Sequence, residues 1–349
     1  MSVEMTDTTH TDRGGEGATS DDFPTLADPY RRELFAHCYR MVGSVHDAED
    51  LVQETYLRAW KAYHGFEGRS SLRTWLYRIA TNVCLTSLEG SERRPLPTGL
   101  GAPSIAAGDP LVTADEVLWL EPVPDSMLAD PAEQAAARDT IRLAFVAALQ
   151  HLPPRQRAVL ILRDVLKWQA AEVAEALEIS TAAVNSVLQR AHAHLDKAQL
   201  SADTAPAPVA EEHKELLERY VTAFWEKDID GIVSLLKQDA IWEMPPFVGW
   251  YEGAENIGRL IDLQCPGGPH EMPMVATSAN GQPAYGLYMR QPDGRFTPYH
   301  LQVLTLTDGA VSHVGAFFDP TLFEIFGLPT ELDAETAAAL VGSGTEESR

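Results

Sequence analysis

The sequence predicts two small all-α domains followed by one α+β domain, and three observations carry that prediction. Up to about residue 195 apolar residues recur at three- and four-residue steps, whereas beyond about residue 240 they alternate in short runs. Two stretches rich in proline or alanine and proline, 95–129 and 201–210, interrupt the pattern. A chain of 349 residues is also long enough for two or three hydrophobic cores. The expected boundaries are a disordered tail over 1–24, helical domains over 25–94 and 130–200, linkers over 95–129 and 201–210, the α+β domain over 211–329, and a C-terminal tail over 330–349.

Residues 1–24 hold almost nothing to bury. A first helix is expected from Ala27 to about Val42, with Leu34, Phe35, Cys38, Tyr39 and Val42 spaced for a core and Gly43 as its stop. The next runs from His46 to Trp60: Ala48, Leu51, Val52, Thr55 and Ala59 form a buried stripe, acids crowd the first turn, and Ser44 is a plausible cap. After the loop Gly65–Ser71 comes a helix from Leu72 to Leu85, capped by Ser70 or Ser71. Its apolar face is Leu72, Trp75, Leu76, Ile79, Ala80 and Val83, which leaves Arg73, Arg78 and Asn82 on the other side. Each helix alone would also suit an ordinary amphipathic core helix.

The linker 95–129 carries too much proline and glycine for a long helix or central strand, and a plain tether is as good a reading of it as any role for Trp119 and Leu120. Asp130 and Pro131 suit the start of a helix to about Leu149, and a proline pair starts another over 152–166. Then comes a helix-turn-helix: Trp168 to Leu177, a turn at Glu178–Ser180, and Thr181 to Leu195, with the small Ala174 at the crossing. Val184, Leu188, Ala191 and Leu195 face inward. Thr181, Ala182, Asn185, Ser186, Gln189 and Arg190 face outward, with side chains of the right length for base edges and phosphates.

Beyond 211 the expected order is a helix to about Trp225, a second over Asp230–Leu236, a strand Ala240–Met244, a helix near Ala254–Leu263, and then strands turning at Pro292–Gly294 and Thr307–Gly309. Trp242, Tyr251, His300, Gln302 and Asp319 are candidates for a pocket in this domain, each also readable as a packed or solvated strand residue.

Charge is unevenly spread. The net −24 falls as −14 on residues 211–349 (eight bases against 22 acids) but only −5 on 27–210 (18 against 23). The helical half is therefore not a strongly basic, free-standing DNA binder. Cys38, Cys84 and Cys265 lie too far apart in sequence for metal-ligand spacing, and Cys38 and Cys84 read as buried, reduced thiols. No metal and no cofactor is expected. No run approaches membrane-spanning length, and the N-terminus lacks a basic-then-apolar signal, so a cytoplasmic protein with no membrane partner is expected.

The run "DAEDLVQETYLRAW" followed by "F-x-G-x-SSLRTWLYRIATN" resembles region 2 of bacterial RNA polymerase sigma factors of the extracytoplasmic-function group. "LPPRQRAVLILRD" and "AEVAEALEIS-x-AAV-x-S-x-LQRA" resemble region 4 of the same group, in the same order. The resemblance implies that Asp47, Glu49, Asp50, Leu51, Gln53 and Glu54 meet core RNA polymerase. Phe66, Ser70, Arg73, Trp75, Arg78 and Asn82 would grip the melted minus-ten promoter DNA, and the outward face of the recognition helix would read the minus-thirty-five element.

Three departures from the group stand out. The basic pair Arg93–Arg94 lies further out than usual, Asn185 and Val187 replace commoner Lys and Arg, and Glu178 takes a turn position that often carries Gly. The third domain, through its order and "W-x-x-P…W-Y-x-G", resembles the SnoaL-like cone fold, as in the sigma-G and sigma-J types. It is expected to contact the two sigma domains in place of a separate anti-sigma factor, or to take a small-molecule ligand. The expected function is that of an alternative sigma factor rather than an enzyme. The rival readings are a ligand-responsive helix-turn-helix activator and a SnoaL-like isomerase or cyclase with a regulatory N-terminal half.

Overall fold

The computed structural model describes residues 23–90, 93–104, 106–128, 140–197 and 211–342. The first helical unit comprises α1 (Phe23–Ala27), α2 (Arg31–Val42), α3 (Val45–Ala62) and α4 (Leu72–Ser87). The helix expected from Ala27 starts four residues later, because Asp28–Tyr30 form a single 3-10 turn around Pro29. Gly43 ends α2 in the left-handed region at φ 71°, and a side chain there would lie 2.7 Å from Leu120 Cδ1. The Ser44 hydroxyl caps α3 by accepting from the Asp47 amide at 3.1 Å, and Ser71 does the same for α4 through Thr74. Cys38 and Cys84 are fully buried and free between α2 and α4. A hydrogen bond with the Cys84 sulfur, then burial, holds the Cys38 thiol well above its ordinary pKa.

The second unit comprises α5 (Leu143–Gln150), α6 (Pro154–Leu160), α7 (Ala170–Ala176) and α8 (Thr181–Lys197). The helix expected over 152–166 loosens at Ile161–Val165 into a π turn, where the Leu166 amide reaches back five residues to Ile161. Arg157 ties the two units together: it is 3 % exposed and donates to the Met41 carbonyl as well as to the Gln150 side chain at 2.7 Å. Tyr77 and Trp168 meet edge-on at 5.8 Å across the same boundary. The expected start at Asp130 and Pro131, the tail before Phe23 and the linker 201–210 lie outside the described residues.

The third unit sets α9 (Glu211–Glu226), α10 (Ile229–Leu235) and α11 (Ala254–Gln264) against a six-stranded sheet of order β2-β1-β6-β5-β4-β3. Its strands are β1 (Leu236–Glu243), β2 (Trp250–Glu252), β3 (Met274–Ala279), β4 (Gln282–Arg290), β5 (Phe296–Thr307) and β6 (Ala310–Phe317). Only the β1–β6 pairing is parallel, and register shifts in three of the ladders mark the bulges with which such sheets curve. Two-residue turns at Asn280–Gly281 and Asp308–Gly309, all four at positive φ, close the β3–β4 and β5–β6 hairpins. Within residues 330–349, α13 (Ala334–Gly342) follows a short α12 (Thr321–Ile325).

The two faces of this sheet serve different cores. Trp242, Leu304 and Val314 face inward with Tyr220 and Phe224 of α9 in the domain's own core. Leu301, Val303 and Phe317 face outward and belong to one continuous cluster with Tyr39, Leu120, Val123 and Leu143. The sheet therefore buries its outer face against the helical half.

Residues 95–104 and 106–128, the described part of the expected tether 95–129, form an extended strap along that seam. Leu120 is fully buried, the Thr98 amide donates to Glu243 at 2.8 Å, and the Trp250 indole donates to the Gly101 carbonyl at 2.9 Å. Isolated bridges pair Thr113 with Phe247 and Pro124 with Ala279. Composition correctly excludes long elements here. It does not reveal that the strap meets its hydrogen-bonding needs on the third unit rather than in water.

Candidate functional surfaces

The acid-edged helix α3 presents one exposed stripe: Asp50, Gln53, Leu57 and Trp60, at steps of three, four and three. Leu57 and Trp60 are 44 % and 47 % exposed, unusual for large apolar side chains, and they extend the expected polymerase contact by two turns. Their spacing from Asp50 and Gln53 carries the signal, and both fall outside the buried stripe Ala48, Leu51, Val52, Thr55 and Ala59 read from the sequence. Leu51, expected among the contacts, turns inward at 8 % exposure. The remaining acids are occupied: Asp47 pairs with Arg94 at 2.6 Å, Glu49 with Arg31 at 2.5 Å, and Glu54 with Arg58 at 2.6 Å.

The outlying Arg94 therefore works inside the chain. It also donates to the Trp119 carbonyl at 3.1 Å and approaches Glu121 at 3.6 Å. Glu121, on the strap, receives the Val45 amide at 2.9 Å and the Ser44 hydroxyl at 3.0 Å and faces His46 at 3.1 Å. Its carboxylate sits at the α3 N-terminus, where the helix dipole favours a negative charge.

The residues expected to hold melted DNA divide between two places. Trp75 is 7 % exposed and packs against Phe66 at 4.9 Å and Tyr63 at 6.4 Å, so it holds the loop onto α4 rather than standing free. Arg73 turns back to Glu33 on α2, with Nε 2.8 and 3.0 Å from the two carboxylate oxygens, and lies over the Tyr77 ring. Arg78 and the exposed Asn82 share another face of α4, since nine residues separate Asn82 from Arg73 by about 180° around the helix. Ser70 is half-buried beside the cap. Asn82 and Arg78 thus sit together, apart from Arg73; Trp75, seven residues before Asn82, lies on their side of α4 but is covered by the loop.

On α8 the faces expected to point inward and outward are the ones the structure buries and exposes. Thr181, Ala182, Asn185, Ser186, Gln189 and Arg190 are all exposed, while Val184 and Ala191 are fully buried and Leu188 and Leu195 half-buried. Ser180 caps the helix through the Ala183 amide at 3.1 Å. The turn before it puts Glu178 at φ 53°, the left-handed conformation that suits glycine.

In the third unit Trp242, Tyr251, His300 and Gln302 are all buried. The Tyr220 hydroxyl donates to Gln302 Oε1 at 2.8 Å, and Gln302 Nε2 lies 2.9 Å from His300 Nε2. An amide nitrogen only donates, so the imidazole proton sits on Nδ1, where it has no partner among the described residues. Burial pushes the His300 pKa down to about 3, keeping the ring neutral. Trp242 lies beside Tyr251 across the β1–β2 pairing and stacks on Phe224 at 6.3 Å. Tyr251 also hydrogen-bonds Ser104 of the strap. Asp319, half-buried, caps the turn at Thr321. The one buried acid among the described residues, Glu243, points away from this interior, accepting the Thr98 amide and facing His313 at 2.6 Å.

Comparison with known proteins places this geometry. The family Sigma-70 region 2 matches residues 26–94, and Sigma-70 region 4 matches residues 142–195. The extracytoplasmic-function RNA polymerase sigma factor SigG of Mycobacterium tuberculosis is 59 % identical over 315 residues, spanning 89 % of this chain and 85 % of its own. SigW of Bacillus subtilis is 29 % identical over 51 % of this chain and 88 % of its own, a match confined to about the length of the two helical units. The crystal structure of the M. tuberculosis sigma factor SigJ superposes with a TM-score of 0.60 at 26 % identity, covering 88 % of this chain and 99 % of that one, its SnoaL-like C-terminal domain included. Two sigma-type helical units, a helix-turn-helix with the outward face of α8 exposed and an appended SnoaL-like sheet domain agree with likeness at 59 % identity over 89 % of the chain: the chain belongs to the extracytoplasmic-function sigma factors of RNA polymerase.

Proposed function

We propose that the C-terminal domain and the strap hold the two sigma domains as a compact pair and so regulate an initiation factor from within its own chain. As an alternative sigma factor the protein binds core RNA polymerase and promoter DNA and directs transcription initiation. Within that activity we assign the polymerase contact to the Asp50–Gln53–Leu57–Trp60 stripe, the melted strand to Asn82 and Arg78, and the upstream element to the exposed face of α8. One observation carries the regulatory reading: Asn280, in the β3–β4 turn, is fully buried against all three other parts. Its side chain accepts from the Val123 amide at 3.0 Å and donates to the Tyr39 hydroxyl at 3.0 Å and the Ile141 carbonyl at 2.8 Å.

No catalytic role is assigned. Isomerase-type chemistry asks for a carboxylate base in the apolar interior, and the buried acid Glu243 is committed to His313 and the strap. The place of action is the cytoplasm, and among the described residues no helix is long and apolar enough to cross a membrane. Truncation after about residue 205, compared with the full chain in transcription by purified core polymerase on a promoter library, tests both claims. Higher output from the shortened chain is expected. Equal output refutes internal regulation, and no specific start from either chain refutes the initiation roles.

A further inference from the structure

The strap and the rim of the SnoaL-like domain enclose a cleft of about 370 Å³, within the range of small-molecule sites. Val117, Leu118 and Trp119 form one wall and Phe317, Phe318 and Leu322 the other, with Arg94 of the first sigma domain between them. None of the four interior residues Trp242, Tyr251, His300 and Gln302 lines it, so the cleft is separate from the interior of the cone.

Three observations fix what it would take. The walls are apolar and partly aromatic, and Leu118 leaves 53 % of its surface uncovered, which suits a flat apolar body. Trp119 lines the cleft, and its indole N–H is buried with no acceptor among the described residues, an omission that an occupant's oxygen repairs once the indole turns toward it. The cleft offers no attraction to an anion. Arg94 is already paired with Asp47 at 2.6 Å and approached by Glu121 at 3.6 Å, while Asp115, Glu121 and Asp319 all face the same space.

We infer that this cleft binds an uncharged, planar aromatic molecule carrying a carbonyl oxygen, held by the Trp119 N–H between the strap and the domain rim. The inference deepens the regulatory reading above, because both walls separate when the strap leaves the C-terminal domain, so an occupant favours the compact form.

Titrating the full chain with Prodan, an uncharged naphthyl ketone whose emission reports its surroundings, tests the site without polymerase. Saturable one-to-one binding with blue-shifted emission is expected. Trp119→Phe keeps an aromatic, though smaller, ring but not the donor and weakens binding about three- to tenfold, the worth of one neutral hydrogen bond. Leu118→Asp, at an exposed position that the fold tolerates, weakens it more than about tenfold through the loss of apolar contact. The anionic anilinonaphthalene sulfonate binds at least about tenfold less tightly than the ketone, by like-charge repulsion. Unchanged affinity in either variant, or a sulfonate that binds as tightly as the ketone, overturns the proposal. Because polymerase plays no part, that failure leaves the truncation result standing, and the reverse also holds.

Discussion

The Asn280 side-chain amide donates to the Tyr39 hydroxyl at 3.0 Å, joining residues 241 positions apart. Tyr39 in turn donates to the Glu121 carbonyl at 2.7 Å. One file of hydrogen bonds thus runs from the tip of a hairpin, through a helix of the first sigma domain, to the strap. Burial holds the Tyr39 phenol well above its ordinary pKa, so it remains protonated and able to donate.

Asn280→Ala removes that file at a fully buried point. A loss of about 2–4 kcal/mol is expected from the unpaired Val123 amide and Ile141 carbonyl. Chymotrypsin should then cut sooner at Leu118–Trp119, and transcription with core polymerase should rise relative to the unaltered chain. A melt and a digest no different from those of the parent would refute the clamp.

Trp75 and Asn82 should part company on mutation. Trp75→Ala empties an aromatic contact in the core and costs about 3–5 kcal/mol of stability. Asn82→Ala, at an exposed site, should leave the melting curve within about 0.5 kcal/mol of the parent while reducing open-complex formation. Permanganate footprinting of the minus-ten region, read beside the melts, distinguishes them.

Leu57→Ala and Trp60→Ala each remove an exposed apolar side chain whose loss the fold does not feel. The expected result is core-polymerase affinity weakened about fivefold or more by Trp60→Ala and less by Leu57→Ala with an unchanged melt, since truncated aromatic anchors cost more than about 1 kcal/mol at interfaces and leucines less. Fluorescence anisotropy with purified core measures it.

Glu178→Gly relieves a left-handed residue in the helix-turn-helix. Stability should rise by about 0.5–1 kcal/mol, the strain relieved less the added freedom of the unfolded chain. Thermal denaturation of the variant checks the sign.

Acid should weaken the fold through two buried imidazoles. His37 and His300 each have a folded pKa near 3, lowered chiefly by burial, against about 6.5 in the unfolded chain. Between pH 6.5 and 3 the unfolded state therefore binds more protons, and stability falls as pH falls, by about 1.4 kcal/mol per unit for each ring. His300→Gln should remove one such share of the slope, read from urea melts at pH 6 and pH 4.

The caps and stripes of the helical half are legible in sequence because they are local. Ser44 and Ser71 act on amides three residues away, and Val184 and Ala191 face inward by helical period alone. What escapes is whatever depends on a distant partner. Leu120 sits in a proline-rich run, and only Gly43, a position without a side chain, makes room for it. Arg73 looks like a free cation until Glu33 on another helix is brought beside it. Asn280–Gly281 did carry a local signal, a two-residue hairpin turn, but no rule of spacing says that a turn will be driven into a neighbouring domain.

The outer face of the sheet has a consequence for kinetics. Leu301, Val303 and Phe317 share their apolar neighbours with both halves of the molecule, so drawing the halves apart would wet a surface that no other described element covers. A free, extended form would therefore be short-lived in water. On the regulatory reading proposed above, the meeting with polymerase begins from the closed shape, with the polymerase covering the surface that opening lays bare.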